Sequence, residues 1–294
     1  MKIYSKLGTA VFGVGMLLLS SCNDFLDREP LDKITPEIYF ANEADLAAYS
    51  LGCYGFPTND PTKFSIGVIA NDNGTDNQAA SEGSTGTWVP GEKRVAAKDG
   101  AWNFDGIRKC NYFFNRVLPK YEAGTINGSV ENIRHYIGEM YFIRAYNYFN
   151  KLAALGDFPI ITEVLPDDHG TLIANSLRRP RHEVARFILK DLDKAIEMMG
   201  EDSPNGKNRL TRKAGLLFKS RVALFEGTWL KYHNGTDRVP GGPGWPGATM
   251  DYNKDFSIDM DADIKFFLNE AKEAAARVAD AVRLTESTDM VNPE

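Results

Sequence analysis

The apolar positions between Glu131 and Pro159 set the plan of this chain. Ile133, Ile137, Tyr141, Tyr148, Leu152 and Leu155 recur at spacings of three, four and seven, which draws one stripe along a helix. Phe142, Ala145, Tyr146, Phe149 and Ala153 draw a second stripe on another side. A helix that is apolar nearly all round is a buried one, and at 1.5 Å per residue this one would run roughly 37 Å. Gly156 offers a left-handed cap at its end and Pro159 forbids continuation.

The same 3.6-residue period marks the other elements. Pro36 to Tyr54 reads as a first helix, with Ile38, Tyr39, Leu46, Tyr49 and Tyr54 inward. Trp102 to Lys120 reads as a second, with Trp102, Ile107, Phe113, Phe114 and Val117 as core. Arg181 to Met199 buries Val184, Phe187, Ile188, Leu192, Ala195, Ile196 and Met199. Arg212 to Tyr232 follows, and Asp263 to Arg283 closes the series with Ile264, Phe267, Leu268, Ala271, Ala275, Val278 and Val282 inward. Within the longest segment, Gly138, Tyr141, Arg144, Ala145 and Tyr148 line up with Gly215, Phe218, Arg221, Val222 and Phe225, all displaced by 77 residues. Such a correspondence predicts an all-α fold of stacked helical hairpins, as in tetratricopeptide arrays, whose faces are buried by their neighbours. The 77-residue displacement exceeds the usual repeat length, so insertions separate the units. One is Pro240 to Gly247, PGGPGWPG, which reads as a rigid surface turn carrying Trp245.

Composition changes this picture little: the 294 residues are 43% hydrophobic and 25% charged, ordinary for a globular protein. The first residues change it more. Lys2 and Lys6, the apolar run Ala10 to Leu19, and Leu19-Ser20-Ser21-Cys22 form a leader with a cleavage site directly before a cysteine. The run is too short to span a membrane as a helix. The expected boundaries are a signal peptide over 1–21 and one helical domain over 22–294, with Cys22 as the lipid attachment site. Two or more acyl chains there would give a stable anchor. Loss of Lys2 and Lys6 takes the net charge from −6 to −8, and no basic cluster appears, which argues against nucleic acid as a partner. Cys53 and Cys110 remain, as a pair or as two small buried hydrophobes.

The run EMYFIRAYNYFNKLAALGDFPII, Glu139 to Ile161, resembles the signature helix of the SusD/RagB family of Bacteroidetes surface lipoproteins in its aromatic spacing, Arg-Ala pair and terminal Gly-Asp-x-Pro. The opening helix, Asn111, the form Val-x-x-Phe-Ile-x-x-Asp-Leu-x-x-Ala from Val184, and the Leu-Ser-Ser-Cys leader resemble the same family. Taken over, the resemblance implies a non-enzymatic, surface-facing lipoprotein of the outer membrane. It would capture a glycan and cover a SusC-like TonB-dependent transporter, with no cofactor. The acidic Asp24, Asp27 and Glu29 after Cys22 fit export to the outer leaflet in that family. Family members continue well beyond residue 294, so the resemblance also implies that the C-terminal portion of the family is missing from this sequence.

Candidate chemistry is sparse. From Asn71 to Asp99 the chain is polar and Gly-rich, without a helical or strand period, and a loop of that length is often functional. Trp88 is its one aromatic residue. An indole for C–H faces with Asp72, Asn73 and Asp76 for hydroxyls is the composition of a sugar site, and the resemblance places family ligand loops in this part of the chain. The plainer alternative folds Trp88 back onto the helices. Asp167, Asp168 and His169 read as a solvated turn rather than a metal or acid–base site. Arg144, Asp191 and Arg221 all project onto apolar stripes, so each needs a partner. Asp191 is expected to pair with at least one of the two arginines. Two other classes stay open: a surface glycoside hydrolase, which needs two carboxylates across a cleft, and a repeat scaffold without a small ligand.

Overall fold

The computed structural model describes residues 39–56, 102–204 and 206–283. The chain divides into two compact units, Met1–Ala41 and Asn42–Glu294. Among the described residues of the second unit there are seven α-helices: α1 (Glu43–Gly52), α2 (Asp105–Glu122), α3 (Val130–Leu155), α4 (His169–Asn175), α5 (Arg181–Met198), α6 (Arg212–His233) and α7 (Met260–Ala279). Three short 3-10 turns, Gly206–Asn208, Pro246–Thr249 and Asp251–Asn253, lie between them. No strand occurs among the described residues, only two isolated bridges, Asn42 with Asn127 and Phe158 with Arg179. The all-α helical-repeat expectation is therefore met.

The helices stack in sequence: α1 and α2 on α3, α3 on α5, α5 on α6, and α6 on α7. The spine α3 is started by Ser129, whose hydroxyl accepts from the Asn132 N–H, and ended by Gly156 at φ 74°, whose N–H reaches the Leu152 carbonyl. Fourteen of its residues are buried, from Ile133 to Leu152, as expected of a helix apolar on all sides. The repeat pair Gly138 and Gly215 share one purpose. A Cβ on Gly138 would lie 2.8 Å from the Met199 side chain, and one on Gly215 would lie 2.9 Å from Ile196. Both glycines thus let α3 and α6 close on the end of α5. Beyond it, Ile196, Leu216, Ala274 and Val278 join α5, α6 and α7 in one apolar cluster.

Several boundaries differ from the sequence reading. Of the first helix expected over 36–54, residues 36–38 lie outside the described ones, and the helix described there begins at Glu43 because Asn42 caps it: the Asn42 side chain accepts from the Asp45 N–H while Asp45 accepts from the Asn42 N–H. Trp102 is not core but 43% exposed, since α2 starts only at Asp105. At the other end α7 stops at Ala279, which leaves Val282 half exposed outside the helix. The Asp167–His169 turn is exposed, and Asp168 caps α4 by accepting from the Thr171 N–H. Hydrogen bonds from the Thr171 side chain and then from its backbone N–H hold the Asp168 carboxyl below its ordinary pKa. Cys53 and Cys110 are free thiols, with burial pushing both pKa values up.

Candidate functional site

The end of α3 is where chain segments remote in sequence converge. After Gly156 the backbone turns and Phe158 exchanges two hydrogen bonds with Arg179, at 3.2 and 3.1 Å. That bridge sets Asp157 beside the start of α5, where its Oδ1 accepts from the Arg181 N–H at 2.8 Å. Its Oδ2 accepts from the indole Nε1–H of Trp245 at 2.8 Å. Burial raises the Asp157 pKa, and these two donors and the nearby arginines counter it only in part. Trp245 is therefore not displayed by its turn, as the Gly-Pro pattern suggested, but is 4% exposed and packed on Phe256. The reason is that Asp157, 88 residues away, satisfies its one polar atom.

Behind this contact lies an ion pair without solvent. Arg181 Nε and Nη2 donate to Glu226 of α6 at 2.9 and 2.8 Å, and the two side chains are 4% and 0% exposed. The Arg181 guanidinium also covers the Trp229 ring at 4.2 Å. In front of it opens a cleft of about 310 Å³ whose floor is Ala153 to Asp157 and whose walls include Trp229 and Trp245. Arg178, Asp237 and Arg238 stand exposed on its rim.

A run of rings leads away from this cleft. Trp229 adjoins Phe225 at 5.9 Å, Phe225 adjoins Phe149 at 5.3 Å, and Phe149 adjoins Phe218 at 5.5 Å. Phe218 adjoins Tyr146 at 5.7 Å and Tyr146 adjoins Phe56 at 4.8 Å. All six are half-buried, and Phe149 of α3 packs edge-to-face on Phe218 and Phe225 of α6. At the far end a second cleft of about 240 Å³ is lined by Tyr54, Phe56, Lys109, Tyr146, Asn147 and Asn150, among others. Half-buried aromatic faces bordered by amides suit the C–H faces and hydroxyls of sugars.

Of the residues singled out from sequence, Arg144 and Asp191 are brought together. Arg144 Nε donates to Asp191 Oδ2 at 2.6 Å, its Nη2 donates to Oδ1 at 2.8 Å, and its Nη1 donates to Asn111 Oδ1 at 2.9 Å. Burial opposes the Arg144 charge, but the hydrogen bonds to Asp191 outweigh it and raise its pKa. Arg221 does not join them. It is exposed, because α6 turns Val222, Ala223 and Gly227 inward and leaves Leu217, Arg221 and Leu224 on a face without a packed helix among the described residues. Cys22, Asp72, Asn73, Asp76 and Trp88 lie outside the described residues.

Sequence reasoning missed two buried pairs: Arg181 with Glu226, and Glu139 with Arg209. Glu139 accepts from Arg209 Nε at 2.8 Å, from Arg209 Nη2 at 2.5 Å and from the Tyr54 hydroxyl at 2.9 Å. The signal was available, since Glu139 and Glu226 each interrupt a local run of apolar residues. No cluster of His, Cys, Asp and Glu that could hold a metal occurs among the described residues. Nor is any helix among them long and apolar enough to cross a membrane.

Comparison with known proteins gives a consistent picture. A family model named SusD-like, described as starch-binding and associating with the outer membrane, matches residues 24–224. A SusD-like protein of Bacteroides ovatus is 29% identical over 250 residues, covering 82% of this chain and 43% of that protein. A SusD-like protein of Formosa agariphila is 21% identical, covering 71% and 41%. The chain thus spans less than half the length of these curated relatives. A crystal structure of a SusD-like protein from Bacteroides fragilis superposes with a TM-score of 0.51 at 25% identity, covering 69% of this chain and 39% of that one. A SusD homologue from Bacteroides thetaiotaomicron gives 0.51 at 16% identity, covering 89% and 44%, a likeness of fold.

Proposed function

This chain belongs to the SusD-like family, and from that membership we propose that it is a cell-surface, lipid-anchored glycan-binding protein working with a SusC-like TonB-dependent transporter in the outer membrane. The observation that carries the reading is the family match over residues 24–224, whose description is binding of starch in association with the outer membrane. In this reading Cys22 carries the anchor, and Trp88 with Asp72, Asn73 and Asp76 contributes to the ligand surface. The transporter contact belongs to the helical stack.

Binding rather than hydrolysis is favoured by how the carboxylates at the cleft are used. A glycosidase needs two carboxyl groups facing each other across the scissile bond. Of the carboxylates lining this cleft, Asp157 is held by two hydrogen bonds and only Asp237 stands exposed on the rim, while Glu226 behind them is sealed against Arg181, so no two free carboxyl groups face each other across it. Incubation with oligosaccharides separates the classes. Retention without cleavage is expected. Chain shortening would establish a hydrolase instead, and neither retention nor cleavage would leave only the scaffold.

A further inference from the structure

The end of α1 and the start of α2 bring two thiols to one seam. We propose that Cys53 and Cys110 are a disulfide site, joined as the chain folds in an oxidising cell envelope, and that the bond ties together the two ends of the segment from Tyr54 to Lys109. For its compartment the proposal rests on the surface-lipoprotein reading above; the geometry does not depend on it.

Contacts between the two helices set the register. Tyr49 lies beside the Tyr112 and Phe113 rings at 6.5 and 5.6 Å, and its hydroxyl donates to the Lys109 carbonyl at 3.0 Å. One turn further along, Cys53 lines the second cleft together with Gly106 and Lys109. As α1 advances from Tyr49 to Cys53, its neighbours on α2 thus run backwards from Phe113 to Gly106. Gly106, Cys110 and Phe113 share one face of α2, at spacings of four and three. Cys110 therefore falls between the residue beside Cys53 and the residue beside Tyr49. The thiols are near enough that a charge on Cys53 raises the Cys110 pKa.

Core packing accounts for Cys110, which is fully buried, but not for Cys53. Cys53 is half-buried on the cleft wall, just past the last residue of α1. Gly52 and Gly55 flank it, and a Cβ on either would meet nothing within 4 Å. This cap residue has room to shift and bring the two Cβ atoms to the separation of about 4 Å that a disulfide spans.

The oxidant is a protein disulfide of the envelope, or oxidised glutathione in vitro. Cys53 is the accessible thiol, and Lys109 beside it favours its thiolate. That thiolate attacks one sulfur of the donor disulfide and expels the other. The Cys110 thiolate then attacks the Cys53 sulfur and releases the second donor sulfur. Two electrons pass to the donor, whose two thiolates take up the protons that the cysteines lose. Burial holds both thiols protonated once the chain is folded, so the bond forms during folding.

Peptide mapping of the full chain tests this. Protein drawn from cells is denatured in iodoacetamide without reductant and digested. Cys53 and Cys110 should escape alkylation and appear in one cross-linked peptide, and reductant should release both. If the cellular protein carries free thiols instead, the reduced chain is refolded in a glutathione redox buffer. A cross-link formed there upholds the site and overturns the envelope location. Two alkylated thiols there as well, or glutathione left on Cys53, overturn the site. The oxidised chain should melt roughly 5 °C or more above the chain refolded reduced, because the bond restricts the unfolded chain over residues 54–109. Cys53→Ala prepared in the two ways should melt at one temperature. A parent that also melts at one temperature would overturn the tie between the two ends.

Discussion

Arg144 and Asp191 meet through two parallel hydrogen bonds, 2.6 and 2.8 Å long, in the seam between the spine helix and α5. Asp191 is 1% exposed and Arg144 5%, and the guanidinium also lies over the Phe114 ring at 4.6 Å. Neither charge could stay in that seam alone. Asp191→Ala should therefore destabilise the fold by about 3–5 kcal/mol, because it strands a buried arginine. Denaturant unfolding measures this. A loss below about 1 kcal/mol would mean that Arg144 is compensated elsewhere. Replacing both partners, Arg144→Met with Asp191→Leu, should recover much of the loss, since the penalty lies in the unpaired charge.

Glu139 gives the fold a dependence on acid. Burial raises its pKa, but hydrogen bonds from His135, Arg209 and Tyr54 outweigh that and hold it below the ordinary 4.5. A depressed carboxyl contributes stability that is present above its unfolded value and lost as pH falls through the folded one. The stability gap between the parent and Glu139→Gln should be constant from neutral pH down to about 4.5 and should close below it. Thermal melts across pH check this, and a gap that widens in acid would reverse the sign.

The glycines at the end of α5 should not tolerate a methyl group. Alanine is normally the better helix former by about 1 kcal/mol. At Gly138 the added Cβ would also come within 3.0 Å of the Met199 backbone nitrogen, which cannot swing away. Gly138→Ala should destabilise by about 1–3 kcal/mol. Gly52→Ala, at the end of α1 with nothing within 4 Å of the new atom, should be neutral or stabilising. Equal melting temperatures for the two variants would mean that α3 and α5 can separate without cost.

Lipid attachment at Cys22 is tested by Cys22→Ala and detergent phase partition of the expressing cells. The parent should enter the detergent phase and the variant should remain aqueous. An unchanged partition would refute the anchor.

Trp88→Ala should weaken glycan binding several-fold, about 1 kcal/mol for a stacked ring, while leaving the melting temperature in place. A large fall in melting temperature would identify Trp88 as core.

Much of the fold was legible because it is written locally. The spine helix announces itself by apolar residues on every side, a Ser129 start and a Gly156–Pro159 stop, all signals a short window contains. The true start of α1 was also local: Asn42 and Asp45 form a capping box that Pro36 overshadowed. Even the repeat was visible, and its two glycines serve the same closure on α5.

Other features depended on which neighbours arrive. Arg144 and Arg221 hold the same place in the repeat, yet one is buried and paired and the other exposed. A helical projection says which residues share a face, but the packing decides whether another element covers it. The Trp245 turn has no period to read, and its burial follows from an acceptor on Asp157 that folding carries to it. The two clefts are likewise made by helices and loops far apart in sequence. Sequence alone thus determined the existence of most helices and the family, because hydrophobic period and turn chemistry act over a few residues. The tertiary structure alone decided the partners of the buried charges and the shape of the site, because desolvation and contact depend on what lies across the interface.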